Sequence, residues 1–356
     1  MPEHVPRDQA ATRAALARWL GHQLGVAGGI DVGELGGPQS TGFSNETLIF
    51  DATWEGQCHG FVVRPQPTGH TVFLDSAFEA QYRVLEILGT KTDVAVPRVR
   101  WYEPDPAVLG APFFVMDRVD GRAPEDTPPY HAAGWVHGLR PEERARLWWN
   151  GLDQLARIHC IDPVALGLTF LDHPERGRPG LDQQLHYYDD YFDWVARGRP
   201  HPTVTDARRW LEDHRPADEP VGLVWGDSRL GNVLFGEDLD VVAVVDWEMV
   251  TLGNPVEDLA WWLFLDRHHS VGVERLAGFP SPEETVARWE QATGRSAAHL
   301  AYYEVFAAYR FSVIMLRVID LAIELGYMPA DATHGIDNTC SQLLAGLLGL
   351  PAPSTR

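Results

Sequence analysis

Apolar residues recur along this chain with two periods, and the change from one to the other divides it. From Asp8 to Gly25, Leu16, Trp19, Leu20 and Leu24 lie on one side at helical spacing and predict an amphipathic leading helix. From Ile30 to Val63 the pattern is strand-like, through Leu35, then Glu46 to Phe50, then His59 to Val63. Helical spacing returns between Asp75 and Leu88, where Phe78, Tyr82, Leu85 and Leu88 form the stripe, and Pro112 to Met116 reads as a further strand. Beyond Pro141 the chain turns helical. Pro141 to His159 carries Leu152, Leu155 and Ile158 at helical spacing, and His299 to Leu325 is apolar enough to be core. Pro104, Pro106, Pro124, Pro128 and Pro129 mark loops. Within the helical half, Leu223 to Trp225, Val233 to Phe235 and Val241 to Val245 read as short buried strands.

Those three short strands frame the most informative residues. Asp227 and Asn232 stand in an Asp-x-x-x-x-Asn spacing between the first two, and Asp246 ends the third. Phosphoryl transfer from a magnesium–nucleotide needs little covalent help. It needs a carboxylate to orient the attacking hydroxyl and accept its proton, and an amide with a second carboxylate to hold magnesium on the phosphates. The catalytic loop of protein kinases uses the same spacing. Asp and Asn are also ordinary turn residues, and Gly226, Gly231 and Gly236 show that the chain turns here. The strands are what separate the two readings, because a carboxylate at the mouth of a buried strand is costly unless something pairs with it.

Gly36 to Asn45 is a Gly- and Ser-rich hairpin between predicted strands. Glycine permits close backbone approach, so such a hairpin can lay N–H groups over phosphates. It is neither a Walker loop nor a strict Gly-x-Gly-x-x-Gly. The candidates for nucleotide contact there are Gly37, Ser40, Thr41, Gly42, Ser44 and Asn45.

Composition restricts the class further. The 356 residues suffice for one large or two modest domains, and 45% hydrophobic with 22% charged content is ordinary for a globular chain. Cys58, Cys160 and Cys340 are widely separated, which argues against a disulfide scaffold or zinc site. The charged N-terminal segment has no apolar signal core, and runs such as Leu259 to Leu265 are too short to span a bilayer. A cytoplasmic enzyme with no membrane partner is expected. A net charge of −21 disfavours nucleic acid as a partner. The same charge attracts cationic substrates, or simply keeps acidic soluble proteins apart.

The block Trp225-Gly-Asp-Ser-Arg-Leu-Gly-Asn232, then Asp246 to Ala260, resembles the aminoglycoside phosphotransferase and choline kinase superfamily. Within it the chain is similar to an actinobacterial branch named for aminoglycoside phosphotransferases, and to the kinase-like domain fused to some acyl-CoA dehydrogenases. The resemblance runs from about Gly36 to at least Trp262. One departure is that the family's His-Gly-Asp is Trp225-Gly226-Asp227 here. The resemblance implies an α+β, bilobal protein-kinase-like fold. Residues 1–118 would form a small nucleotide-binding lobe, with an antiparallel sheet, a helix and the leading helix. Residues 119–356 would form a larger, mostly helical lobe for catalysis and substrate. It also implies Asp227 as base, Asn232 and Asp246 as Mg2+ ligands, and ATP or GTP as co-substrate. Arg64 would grip the phosphates with Glu79 as its partner, although many relatives carry that acid where Gln81 stands. Met116, Asp117 and Val119 would line the hinge that reads the base, and His159 resembles a position at the end of its helix.

The acceptor site is less legible. Asp189 and Asp193 share a helical face among Tyr187, Tyr188, Tyr191 and Trp194. They form either an acidic, aromatic cradle for an amine or a solvated face over a core. Arg229 and Glu248, beside the metal and base positions, are further candidates for substrate contact, and Asp258 would brace the catalytic loop as a cap or hydrogen-bond anchor. The expected activity is transfer of the γ-phosphoryl group to a small-molecule hydroxyl. The alternative is a catalytically inactive nucleotide-binding module, a pseudokinase. Protein kinase activity is not expected, since there is no His-Arg-Asp and no Ala-Pro-Glu follows Asp246, the chain's Ala123-Pro124-Glu125 lying ahead of the catalytic loop.

Overall fold

Alternation of apolar and polar positions builds the first sheet. In β2 (Leu48–Trp54), Leu48, Phe50 and Ala52 point inward and Ile49, Asp51 and Thr53 lie on the other face. The computed structural model describes residues 7–26, 28–37, 46–69, 71–75, 77–217, 220–329 and 331–353. The chain divides into two units, Met1–Thr71 with Pro97–Asp120, and Val72–Val96 with Gly121–Arg356.

The first unit holds α1 (Gln9–Leu24), β1 (Asp31–Val32), β2, β3 (Gln57–Pro65), β4 (Val99–Glu103) and β5 (Phe113–Asp117). The sheet is antiparallel in the order β1-β2-β3-β5-β4. Asp8 caps α1 by accepting from the Ala11 N–H at 3.0 Å, and Gly25 ends it in the left-handed region at φ 65°. The helix lays Leu16, Trp19 and Leu20 on Phe50, Phe61, Val63, Phe113 and Val115 of the sheet. Trp19 meets Phe113 edge-on at 4.9 Å, while its indole N–H donates to Glu103 at 2.7 Å.

The second unit takes up α2 (Phe78–Lys91) and continues with α3 (Pro141–His159), α4 (Leu181–Ala196) and α5 (Pro202–Asp213). Two short antiparallel pairs follow, β6 (Gly222–Val224) with β9 (Thr251–Gly253), and β7 (Val233–Phe235) with β8 (Val241–Val244). The remaining helices are α6 (Val256–His269), α7 (Pro282–Thr293), α8 (Leu300–Glu324) and α9 (Thr339–Leu348). α6 is buried on nearly every side, which is why its sequence shows no polar face. It packs along α8, the densely apolar helix expected from His299 onward. β9 has no counterpart in the sequence pattern, because Thr251-Leu252-Gly253 is not an apolar run. Among the described residues no helix is long and apolar enough to cross a membrane.

Candidate active site

The second unit carries the Asp227 loop on the turn between β6 and β7. Gly226 sits at φ 95°, and a Cβ there would lie 2.1 Å from the Met249 carbonyl oxygen, so only glycine lets the two loops cross. Leu230–Asn232 closes the turn as one 3₁₀ step into β7. Asp246 leaves β8 in the left-handed region at φ 56°, a conformation that Asp tolerates better than most residues.

One buried carboxylate holds the loop in place. Asp258, in the first turn of α6, accepts from the N–H of Trp225 at 2.7 Å and of Gly226 at 2.8 Å. Its backbone carbonyl accepts from the Ser228 hydroxyl at 2.8 Å. His159, at the end of α3, lies 3.0 Å from Asp258 through Nε2. Trp289, which can only donate, reaches His159 Nδ1 at 2.8 Å, so the ring proton sits on Nε2 and points at Asp258. Trp225 donates its indole N–H to the carbonyls of Val245 at 3.0 Å and Asp246 at 2.9 Å, and so ties the Asp227 loop to the Asp246 loop.

Asp227 is the most engaged carboxylate of the loop. Its Oδ2 accepts from Asn232 Nδ2 at 2.7 Å and Arg229 Nε at 3.1 Å, and its Oδ1 accepts from the Trp261 indole at 2.9 Å. Asn232 also donates to the Asp227 carbonyl at 3.0 Å, which leaves its own amide oxygen directed elsewhere. Arg229 has its other arm on Asp126. Burial works against the Arg229 charge, but Asp227 and Asp126, then Asp246, outweigh it and hold the guanidinium above its ordinary value. Trp261 and Asp126 were not legible as site residues. Trp261 had one signal, since it lies three residues after Asp258 and so shares that helix face.

The other expected residues are distributed as follows. Glu248 lines a cavity of about 80 Å³ beside the Asp246 loop, with Met249, Gln184, Tyr187, Tyr188 and Arg310 in its wall. Arg310 is buried and donates to the Gly226 carbonyl at 3.1 Å and to Tyr188 Oη at 3.2 Å. Asp189 is held by both arms of Arg208, at 2.6 and 2.9 Å, and borders a separate open depression. Asp193 is exposed, whereas Tyr188 and Tyr191 of the same helix are core. In the first unit, Arg64 lies on β3 opposite Phe114. Met116 is buried at the end of β5, Asp117 accepts from Arg100 at 2.7 Å, and Val119 follows just before the unit ends. Gly37 is exposed next to the Gly36 bridge to Ile49. Ser40, Thr41, Gly42, Ser44 and Asn45 lie outside the described residues. Glu79 is exposed in the first turn of α2, in the second unit, and Gln81 is buried.

Comparison with known proteins identifies the family and the fold. A family model described as the phosphotransferase enzyme family matches residues 38–306. The chain belongs to that family. It is 29% identical over 293 residues to the Arabidopsis thaliana "Probable acyl-CoA dehydrogenase IBR3", a match covering 77% of this chain and 34% of that protein. The chain thus spans about a third of the length of that curated relative. Among solved structures it is similar to a candidate aminoglycoside phosphotransferase from Ralstonia eutropha JMP134, at 25% identity and a TM-score of 0.68, covering 94% of this chain and 95% of that one. A thermostable mutant of the aminoglycoside phosphotransferase APH(4)-Ia, in ternary complex with ADP and hygromycin B, shares the fold at 14% identity and a TM-score of 0.56, covering 94% of this chain and 98% of that one. The fold is accordingly α+β and kinase-like, with a small sheet-bearing unit and a larger, mostly helical one. The kinship with the domain carried by acyl-CoA dehydrogenase family members, expected from the motif, holds.

Proposed function

We propose that this protein is a magnesium-dependent phosphotransferase that moves the γ-phosphoryl group of ATP or GTP to a hydroxyl of a small molecule, with Asp227 as the base. The observation that carries this reading is the set of three donors on Asp227, from Asn232, Arg229 and Trp261. They fix the orientation of a carboxylate without filling all its acceptor positions, which suits a group that must receive a hydroxyl late in a loose transition state. Magnesium takes oxygen ligands, keeps several waters, and needs only one or two protein groups besides the phosphates. The Asn232 amide oxygen, left over once its nitrogen is spent on Asp227, and the Asp246 carboxylate make such a set. When bound, the ion neutralises charge on the phosphates. Asn232 thus serves twice, since the same amide that fixes Asp227 presents its oxygen to the metal.

Arg64, Glu79, Gly37, Ser40, Thr41, Gly42, Ser44, Asn45, Met116, Asp117 and Val119 are proposed to hold the nucleotide. The cavity walled by Tyr187, Tyr188, Glu248 and Arg310 is proposed for the acceptor, because it borders the Asp246 loop and contacts the residue before Asp227 through Arg310. A nucleotide together with a small molecule is also what the solved relative with ADP and hygromycin B contains. Free Cys58, Cys160 and Cys340 support a reducing cytoplasmic setting.

The test begins with melting temperature. ATP or GTP with magnesium is expected to raise it, since a ligand of the folded state stabilises by mass action. The better nucleotide is then offered aminoglycosides, macrolides, choline, sugars and amino-acid derivatives, and release of ADP or GDP is followed. Asp227→Ala should lower turnover by at least about 100-fold while keeping the nucleotide shift. Turnover retained in that variant would remove Asp227 from the mechanism.

A further inference from the structure

A carboxylate offers about four lone-pair positions, two on each oxygen. On Asp227 three are taken, with Asn232 and Arg229 on Oδ2 and Trp261 on Oδ1, and one on Oδ1 is left for the hydroxyl that must approach. The danger to that last position is Arg229. A guanidinium beside a carboxylate ordinarily engages it with two parallel arms. Here Nε alone touches Asp227: Nη2, the arm parallel to Nε, does not bond it, and Nη1 is anchored on Asp126 Oδ2, which fixes the plane of the guanidinium.

Three features show that this division is built in. Gly231 clears the path, since a Cβ there would lie 2.5 Å from Arg229 Nη1 and 2.7 Å from Asp126 Oδ1. The loop bearing Asp126 is pinned beside the catalytic hairpin by the Arg122–Phe235 bridge, with backbone bonds of 3.0 Å in each direction. Finally, Asp126 spends no strong bond elsewhere. Its Oδ1 is buried without a hydrogen-bond partner among the described residues, and His269 Nε2 stands 3.4 Å from it. Burial holds that ring neutral, with its pKa pushed down to about 4, so it does not compete for the Asp126 charge near neutral pH.

We infer that Asp126 is a positioning residue, which holds Arg229 off the second oxygen of Asp227 and keeps open the acceptor position that the substrate hydroxyl needs. The inference rests on Asp227 being the base, and it adds a residue far from the motif in sequence. Asp126 touches neither substrate nor nucleotide in this account. It acts through Arg229.

Two measurements test it. Crystal structures of Asp126→Asn and Asp126→Glu are expected to differ. In the first, Arg229 should turn and place a second arm on Asp227; in the second, the retained charge should keep the parent arrangement. Arg229 unmoved in Asp126→Asn would overturn the inference, whatever the activity. The second measurement is nucleotide turnover with the best acceptor from the panel. Asp126→Asn should lower kcat by about ten-fold or more, with the nucleotide-induced melting shift unchanged and Asp126→Glu restoring most of the rate. In an Arg229→Met background the same substitution should cost nothing further. An equal loss in both backgrounds would show that Asp126 acts without Arg229 and would also overturn it. A panel without any acceptor would count against the phosphotransferase reading alone, and the crystal structures would still decide the geometry.

Discussion

The Asp227 loop and helix α4 both present aspartates among aromatic residues, yet the structure treats them in opposite ways. At the loop, Asp227 is half-buried and Asp258 of α6 fully buried because donors from separate elements converge on them: Trp261 from α6, His159 from α3, and the backbone of Trp225 and Gly226. On α4, helical periodicity sorts the side chains by solvent. Tyr188 and Tyr191 go to the core, Asp193 faces water, and Asp189 settles on the Arg208 guanidinium. Carboxylates at helical spacing follow the cheapest route to hydration, whereas carboxylates that must be buried need partners brought from elsewhere in the fold. Function is to be sought where that cost is met.

The sharpest way to break the contrast is Asp258→Ala. It strands the Trp225 and Gly226 N–H groups and the His159 Nε2 proton in a dry interior, at a cost of about 3 kcal/mol or more. The melting temperature and turnover should fall together. A stable, inactive variant would mean that Asp258 acts on chemistry rather than on the loop's position.

The same buried region should show in the pH dependence of stability. His269 has its pKa lowered from 6.5 to about 4, chiefly by burial, with Asp126 opposing. Between those values the unfolded chain binds a proton that the folded ring refuses. Stability is therefore full above about pH 6.5 and falls as the pH drops toward 4, by a contribution on the order of 3 kcal/mol. Denaturant titrations of His269→Gln should show a flatter slope across that window. An unchanged slope would place the acid sensitivity elsewhere.

Trp261→Phe keeps the ring and deletes one N–H. It should lower kcat by about ten-fold, roughly 1.4 kcal/mol, with little change in melting temperature. A loss in stability without a loss in rate would make Trp261 a packing residue. At the small end stand Asp193→Asn and Asp189→Asn. The first should change stability by less than about 0.5 kcal/mol and the second by about 0.2–1 kcal/mol, through its exposed pair with Arg208. A ten-fold rise in acceptor KM from either would restore α4 as an acidic cradle.

Much of the second unit was written in local pattern. The apolar runs before Asp227 and Asp246 became β6 and β8, and the stripe from Pro141 to His159 became α3 with the same ends. The spacing of Asp227 and Asn232 could be read because it is short and is enforced by one turn. What could not be read were partners brought in from a distance. Trp261 and Trp262 look alike in an apolar run, yet only the indole of Trp261 meets Asp227, because helix rotation aims it there. Asp126 lies in a proline-rich loop 101 residues before Asp227 and becomes its neighbour only through the Arg122–Phe235 bridge. α2 was expected in the small lobe within residues 1–118, whereas the fold groups it with the second unit, since an amphipathic stripe says that a helix packs without saying against what. Sequence by itself determined the periodic elements, the family and the order of its polar motif, because each is a matter of residues close along the chain. Tertiary structure alone decided which acceptor positions of Asp227 are filled and which stays open, because hydrogen bonds are fixed by positions in space, and those positions come from three separate segments.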